Sequence, residues 1–137
     1  MIQPQELRIG NNVNTELGIA EVIGIYEDVV DVKGVSVIDN SSENKISIST
    51  RSFDGCVEYE KIQPIPLTEE ILLKFGLKKI DDNLWQYKNG YLIGFYTKRW
   101  FIGKYNFDDM VEMITSFYYV HQLQNLYFSL TGKELAF

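Results

Sequence analysis

Catalytic or metal-binding chemistry has few side chains to use in this chain, which contains one histidine and one cysteine. A nucleophilic cysteine needs a base, and His121 is the only imidazole that could activate Cys56. No motif surrounds Cys56, so we interpret it as a small core residue. His121 has no ligand-type residue at helical spacing, although Asp108, Asp109 and Glu112 precede it and could approach it in space. We therefore interpret His121 as a surface or helix-capping histidine.

Acidic side chains occur in adjacent pairs along the chain. Glycosidase-type chemistry needs two carboxylates that converge across a cleft, whereas neighbours on a strand point to opposite faces. We interpret the pairs as solvated surface charge. The four pairs are Glu27 with Asp28, Glu69 with Glu70, Asp81 with Asp82, and Asp108 with Asp109.

Phosphate-binding loops and the common hydrolase motifs are absent from the sequence. None of G-x-x-x-x-G-K-[ST], G-x-G-x-x-G, H-E-x-x-H or G-x-S-x-G occurs. We therefore expect no catalytic residue, no metal and no cofactor, and we expect the protein not to be an enzyme.

Aromatic and basic residues are concentrated in residues 85–105, which read as strands. One set of alternating side chains must form core, and the two predicted helices are available to cover it. The other set could form a surface for a protein partner or for self-association, or it could stack the bases of single-stranded nucleic acid. The candidate binding residues are Trp85, Tyr87, Lys88, Tyr96, Lys98, Arg99, Trp100 and Lys104.

The last predicted helix adds a second candidate surface. His121, Gln124 and Asn125 are predicted to lie on its polar face, where the two amides could contact a base edge or a peptide backbone. Ordinary surface polarity is the competing interpretation.

Composition is that of a water-soluble globular protein: 45% of residues are hydrophobic and 23% are charged. No apolar run approaches the roughly 18 residues that span a bilayer, and the N-terminus lacks the pattern of a secretory signal. One cysteine excludes an intrachain disulfide, so we expect a cytoplasmic protein. The net charge of −6 disfavours nucleic acid as a partner, because phosphate binding relies on Lys and Arg.

Charge and aromatic content both change near Pro64–Pro66. Residues 1–66 contain 11 acidic, 5 basic and 3 aromatic residues, whereas residues 67–137 contain 8 acidic, 8 basic and 16 aromatic residues. We therefore predict a β-rich subdomain over 1–66 and an α+β subdomain over 67–137, packed together as one compact unit.

The first subdomain is predicted to be a small, SH3-like, antiparallel β-barrel. Short β-branched or alternating segments separated by polar turns favour such an architecture. The predicted strands cover 19–26, 29–32, 35–38 and 46–50, with a polar hairpin tip at 39–45.

The second subdomain is predicted to begin with a short helix that Thr68 caps and Gly76 ends. An aromatic antiparallel sheet follows, with Asn89–Gly90 and Thr97–Lys98 as its first two turns. A helix over 119–131 closes the chain, with a buried stripe of Val120, Leu123, Leu126, Tyr127 and Leu130. The predicted strands cover 84–88, 91–96 and 99–105, with a short fourth over 111–114.

Three segments resemble a family of short uncharacterised proteins from prophages and mobile elements of anaerobic gut bacteria. They are Glu6–Asn11 (ELRIGN), Ile62–Glu70 (IQPIPLTEE), and Val120–Phe128 (VHQLQNLYF) followed by Leu130–Leu135 (LTGKEL). The resemblance implies a phage or mobile-element context and assigns no catalytic residue.

The sequence as a whole therefore favours an α+β accessory protein without enzymatic activity. It would act by binding a protein, or by self-association, through the aromatic sheet or the loops of the first subdomain. Nucleic-acid binding through the aromatic and basic sheet face is the alternative.

Overall fold

The computed structural model describes residues 2, 4–26, 29–34 and 54–137. The chain forms two compact units, Met1–Ile65 and Pro66–Phe137. Each unit contains one antiparallel sheet, and the second also contains the two α-helices, so the α+β prediction is confirmed. Among the described residues, none of the helices has the length and apolar character that crossing a membrane requires.

The first unit is a four-stranded antiparallel sheet whose strands neighbour one another in chain order. The strands predicted over 19–26 and 29–32 are confirmed. Those predicted over 35–38 and 46–50, and the polar tip at 39–45, lie outside the described residues. The strands are β1 (Asn12–Thr15), β2 (Gly18–Ile25), β3 (Val29–Gly34) and β4 (Asp54–Glu58).

Alternating side chains of the first sheet form its core. Val22 pairs with Val32 across β2 and β3, and both are fully buried. Alternation places such residues on one face of a pleated strand. The core cluster consists of Ile2, Leu7, Val13, Ala20, Val22, Val30, Val32, Tyr59 and Ile62.

A 3-10 turn, Tyr59–Lys61, returns the chain from β4 to the start of the sheet. After the turn, the backbone N–H of Gln63 donates to the Asn14 carbonyl and the N–H of Asn14 donates to the Gln63 carbonyl, both at 2.9 Å. The Tyr59 hydroxyl donates to the Tyr26 carbonyl at 2.6 Å. These hydrogen bonds connect Tyr59–Gln63 to β1 and to Tyr26, the residue that follows β2.

The second unit is a five-stranded antiparallel meander with an α-helix before and after it. The strand predictions for this unit omitted one strand and made another too short. The Lys78–Asp81 strand was missed, because its four exposed residues show no alternation, and the predicted strand 111–114 extends to Phe117. The elements are α1 (Glu69–Lys74), β5 (Lys78–Asp81), β6 (Leu84–Gln86), β7 (Leu92–Tyr96), β8 (Arg99–Tyr105), β9 (Val111–Phe117) and α2 (Val120–Thr131).

The cap and the end of α1, and the turn between β7 and β8, agree with the predictions. The Thr68 hydroxyl accepts the backbone N–H of Ile71 at 3.3 Å, and Gly76 has φ +95° after α1, both as predicted. The predicted turn at Thr97–Lys98 is confirmed, with positive φ at both residues.

The predicted two-residue turn at Asn89–Gly90 needs a correction. Only Gly90 has positive φ, and its N–H donates to the Tyr87 carbonyl at 2.9 Å. The N–H of Tyr87 donates to the Tyr91 carbonyl at 2.9 Å, so the loop contains Lys88, Asn89 and Gly90. A type I turn followed by a left-handed glycine is the usual three-residue hairpin of this kind.

Helix α2 begins and ends with defined backbone contacts. The Gln122 side-chain oxygen accepts the N–H groups of Tyr118 and Tyr119 at 2.9 and 3.1 Å, which satisfies donors at the helix start. Gly132 ends the helix in the left-handed conformation, with its N–H donating to the Phe128 carbonyl at 2.7 Å.

The buried face of α2 differs from the predicted stripe. Val120, Leu123 and Tyr127 are buried as predicted, whereas Leu126 is half-buried and Leu130 is exposed. His121 and Gln124, which were predicted to lie on the polar face, are buried as well. The prediction was wrong because it assigned the helix faces by polarity alone.

Gln124 is buried because the C-terminal residues return over the helix. Its side-chain nitrogen donates to the carbonyl oxygen of Leu135 at 2.8 Å. Leu135 is itself buried, and the ring of Phe137 stacks on Phe75 at 4.6 Å between centroids. The buried amide thus pairs with a backbone carbonyl that burial has removed from water.

We expect Gln124→Leu to lower the free energy of unfolding by about 2 kcal/mol, because it leaves the buried Leu135 carbonyl without this donor. Urea unfolding of the variant and the wild type measures the change. Ser129→Ala, at an exposed position of the same helix, is the control and is expected to shift stability by at most about 0.5 kcal/mol. Equal effects of the two substitutions would contradict the role assigned to Gln124.

Candidate interaction surface

Helix α2 covers one face of the five-stranded sheet. Ile93 pairs with Ile102 across β7 and β8, which places both on the same face. Both line a void of about 10 Å³ together with Leu123 and Tyr127 of α2. A void of this size holds one water molecule at most. Helix α2 and the sheet therefore pack directly against each other at these residues.

The candidate aromatic residues contribute mainly to this closed contact. Trp85 lies on the helix-covered face opposite Ile93 and is only 4% exposed. Trp100 is half-buried and lies 5.5 Å from Trp85 between ring centroids. Tyr87 packs edge-to-face on Tyr127 at 5.4 Å. Trp85 therefore has no open face for base stacking, and Tyr87 and Trp100 are each half-buried against a neighbouring ring.

The candidate basic residues are separated along the sheet. Lys88 and Lys104 lie over the rings of Tyr87 and Tyr91, at 5.6 and 5.2 Å from their centroids. Lys98 and Arg99 are exposed at the turn between β7 and β8.

The candidate residues Tyr96 and Asn125 lie elsewhere. Tyr96 is 41% exposed at the end of β7, and Asn125 is half-buried on α2. The structure therefore does not gather the predicted binding residues into one continuous patch.

His121 is enclosed and does not lie at the surface. It is 1% exposed, and its ring lies nearly parallel to that of Tyr119, with centroids 6.0 Å apart. The predicted surface or capping role was wrong, because the first turn of α2 faces inward at this position. A side chain so enclosed cannot meet a substrate in this conformation.

Cys56 lies in β4 and is exposed, so its predicted role as a core residue was also wrong. Its thiol donates a hydrogen bond to the Asp31 carboxylate at 3.2 Å. That hydrogen bond, together with repulsion between the carboxylate and a thiolate, raises the pKa of Cys56 above its usual value. A nucleophilic cysteine requires the opposite shift.

The acidic pairs that lie within the described residues are exposed. Glu69 lies 3.5 Å from Lys79 in an exposed ion pair, and Asp108 and Asp109 are exposed in a turn. Glu27 and Asp28 lie outside the described residues. Within the described part of the chain, no group of three or more His, Cys, Asp or Glu side chains is placed to bind a metal ion.

The turn between β8 and β9 is a surface feature that the sequence reasoning missed. Phe107 is fully exposed there, and Met110 is 64% exposed. Tyr105 and Val111, at the ends of the adjoining strands, are 41% and 38% exposed. We call Asn106–Met110 the apolar tip.

Hydrogen bonds to Asn106 fix the backbone of the apolar tip. Its side-chain oxygen accepts the N–H groups of Asp108 and Met110 at 2.9 and 3.1 Å. Its backbone N–H donates to the Met110 carbonyl at 2.9 Å, and its carbonyl accepts the N–H of Asp109 at 3.1 Å. Asp109 has φ +56°, a conformation that Asp tolerates better than most residues. The turn therefore presents Phe107 and Met110 from an ordered backbone.

A signal for the apolar tip was present in the sequence. Asn and Asp residues predict a turn at 106–109, and turns between strands are usually polar throughout. A phenylalanine and a methionine inside such a turn depart from that pattern.

Two open clefts lie on the described surface. One, of about 290 Å³, lies in the first unit beside Cys56 and Val32. The other, of about 280 Å³, lies between Lys78 and Lys88 in the second unit. Charged side chains, including Glu16, Glu58 and Lys61, line the first cleft.

No family model, curated protein or solved structure matches this chain.

We expect Asp31→Asn to lower the pKa of Cys56 and so to accelerate its alkylation by iodoacetamide at pH 8, because the thiolate is the reacting form. The time course of alkylation by mass spectrometry measures the rate. Glu58→Gln is the control. It removes another carboxylate from the cleft beside Cys56 and is expected to leave the rate of alkylation unchanged. If Asp31→Asn fails to increase the rate, Asp31 does not raise the pKa.

Proposed function

We propose that this protein is a non-enzymatic accessory protein that binds another protein through the apolar tip. The observation that carries the proposal is the full exposure of Phe107 on a hydrogen-bonded turn. The sequence resemblance supports a phage or mobile-element setting. We also propose a cytoplasmic location, which the single cysteine of the chain supports.

The energetics of the tip favour protein recognition. Burying a phenylalanine side chain contributes roughly 1.5–3 kcal/mol, and exposed Phe107 has not yet gained this free energy. The bonds to Asn106 reduce the ordering cost that binding would otherwise incur. An aromatic anchor with polar neighbours is the usual composition of a binding hot spot.

The charge around the tip indicates the chemistry of the partner. Asp108, Asp109 and Glu112 are exposed beside Phe107 and Met110. A partner with an apolar pocket and a basic rim would complement this surface.

The state of the chemically reactive residues supports the absence of catalysis. Asp31 raises the pKa of Cys56, and His121 is buried. The raised pKa of Cys56 disfavours nucleophilic attack, and the burial of His121 disfavours acid–base work on a substrate.

Nucleic-acid binding remains the alternative function and has weaker support. Three of the candidate basic residues lie at opposite ends of β8. Lys98 and Arg99 are at its start, and Lys104 is near its end. The carboxylates of Asp108 and Asp109 in the apolar tip would repel phosphate. Within the strands of the second sheet, Tyr96 and Tyr105 are the exposed aromatic residues, at 41% each.

We also propose that the first unit is related to SH3-like barrels. The 3-10 turn Tyr59–Lys61 followed by the bridge between Gln63 and Asn14 supports this relationship, since a last segment paired with the first strand is a step towards closure.

We expect the double substitution Phe107→Ser, Met110→Ser to remove partner binding without loss of stability, because both side chains are exposed. Tagged wild-type protein and the variant are used to capture partners from host cells, and each captured protein is then purified and titrated against both. Leu73→Ser, at an exposed position on α1, is the control and should bind as the wild type does.

Two results would contradict the proposal. One is a purified partner that binds the double variant as tightly as the wild type. The other is an affinity for single- or double-stranded DNA that falls steeply between 50 and 200 mM salt, on the order of 10³-fold, which would favour the nucleic-acid alternative.

A further inference from the structure

The open cleft of about 280 Å³ in the second unit is basic, although the chain carries a net charge of −6. It lies where β5 and β6 meet the loop between β6 and β7. Two of the described residues that line it are lysines, and none of them is acidic. The lining includes Lys78, Ile80, Gln86, Tyr87 and Lys88.

The register of β5 with β6 brings Lys78 and Gln86 together. They are directly opposite each other in the ladder, and the side chains of such a pair share one face of the sheet. The next pair is Lys79 with Trp85, and the Lys79 ammonium lies 5.7 Å from the Trp85 ring centroid. Because Trp85 is on the face that α2 covers, Lys78 and Gln86 lie on the opposite face.

Lys88 begins the loop between β6 and β7 and adds a second positive charge to the cleft. Its ammonium lies 5.6 Å from the centroid of the Tyr87 ring, a contact that favours one position of a flexible side chain. In the part of the chain that the structure describes, neither Lys78 nor Lys88 is in an ion pair. Both charges can therefore act on a ligand.

The nearest charged residues along the chain do not cancel these two charges. Lys79 lies on the other face, and Lys74, at the end of α1, has the same sign. Asp81 is three residues from Lys78, which is roughly 10 Å along an extended strand. That distance exceeds the screening length of about 8 Å at physiological salt. The cleft therefore attracts anions.

We propose that this cleft binds a small molecule that carries a phosphate monoester. Such a group has nearly two negative charges at neutral pH and three strong acceptor oxygens. Two lysines and the amide of Gln86 match that charge and those acceptors. Lysine binds phosphate as a point charge, whereas a planar carboxylate is matched best by the fork of an arginine.

The apolar part of the lining is suited to the organic part of the ligand. Ile80 is 43% exposed, and the half-buried ring of Tyr87 is held edge-to-face on Tyr127. A Cβ atom at Gly90 would meet no atom within 4 Å, so the cleft is open at this residue. Its volume is close to the lower end of the range for ligand sites. The ligand is therefore small, with about one ring beside the phosphate.

The arrangement of the cations favours a small molecule over a nucleic-acid strand. Each phosphodiester carries one charge, and binding a strand requires basic residues along the path of its backbone. Lys78 and Lys88 instead line a single cleft. Lys98 and Arg99 lie at the opposite end of the sheet, in and after the turn that joins β7 to β8.

Ligand binding in the cleft goes beyond the proposed function and does not depend on it. The apolar tip joins β8 to β9, whereas the cleft adjoins the loop between β6 and β7. Two strand spacings, roughly 10 Å, separate these connections across the sheet. Substitutions in the tip and in the cleft can therefore fail independently.

Titration of ¹⁵N-labelled protein with phenyl phosphate tests the proposal. The amide signals of Gln86, Lys88 and Gly90 are expected to shift and to saturate with a dissociation constant of about 1 mM or lower. Lys78→Gln and Lys88→Gln should each weaken binding about fivefold or more, because each removes a charged contact with the phosphate. Lys79→Gln makes the same change on the other face and should alter the affinity less than about twofold.

Other probes test the chemistry of the ligand. Inorganic phosphate should shift the same amides with lower affinity, because it lacks the ring. Phthalate, which carries two carboxylates on a ring, should bind at least about fivefold more weakly than phenyl phosphate. Lowering the pH from about 7.5 to about 5 should weaken the binding of phenyl phosphate, since the second pKa of a phosphate monoester is about 6.

Three outcomes would overturn the proposal. The first is the absence of saturable shifts up to about 10 mM phenyl phosphate. The second is binding that Lys78→Gln and Lys88→Gln leave unchanged in folded protein. The third is phthalate or a single-stranded oligonucleotide that binds at these amides as tightly as phenyl phosphate. The variant Phe107→Ser, Met110→Ser should bind phenyl phosphate as the wild type does, and loss of its partner binding alone would concern the proposed function.

Discussion

The contact between α2 and the aromatic sheet is the interaction on which the second unit depends. Leu123 and Tyr127 pack on Ile93 and Ile102 and leave a void of about 10 Å³. Apolar burial of this kind is the main stabilising contribution in a small domain. Because α2 covers this face, Trp85 becomes core. The richest set of aromatic side chains in the chain therefore supports the fold.

The C-terminal segment, which carries the most distinctive sequence pattern, acts in the same contact. Gly132 ends α2 in a left-handed conformation and lets the chain reverse. Leu135 then enters the core, and its carbonyl accepts the Gln124 amide. His121 is enclosed at the start of the same helix. The roles visible for these residues are structural.

Much of the second unit could be predicted from the sequence, because local chemistry determines it. Thr68 and Gly76 delimit α1 through a side-chain cap and a left-handed residue, and aromatic and β-branched runs produce β7 and β8. The burial of Gln124 could not be predicted, since its partner at Leu135 depends on a chain reversal. The exposure of Cys56 likewise depends on where β4 lies in its sheet. For the candidate surface, the turn at 106–109 could be predicted from the sequence. The exposure of Phe107 could not, because it depends on three-dimensional packing.

The central claim is that α2 turns the aromatic face into core, and the accessibility of Trp85 tests it most directly. In a Trp100→Phe variant, Trp85 is the only tryptophan, and its quenching by acrylamide can be measured in native buffer and in urea. We expect the native emission of Trp85 to be blue-shifted and its quenching constant to be several-fold lower in native buffer than in urea. Native emission and quenching equal to those of the unfolded chain, in a variant that circular dichroism shows to be folded, would contradict it.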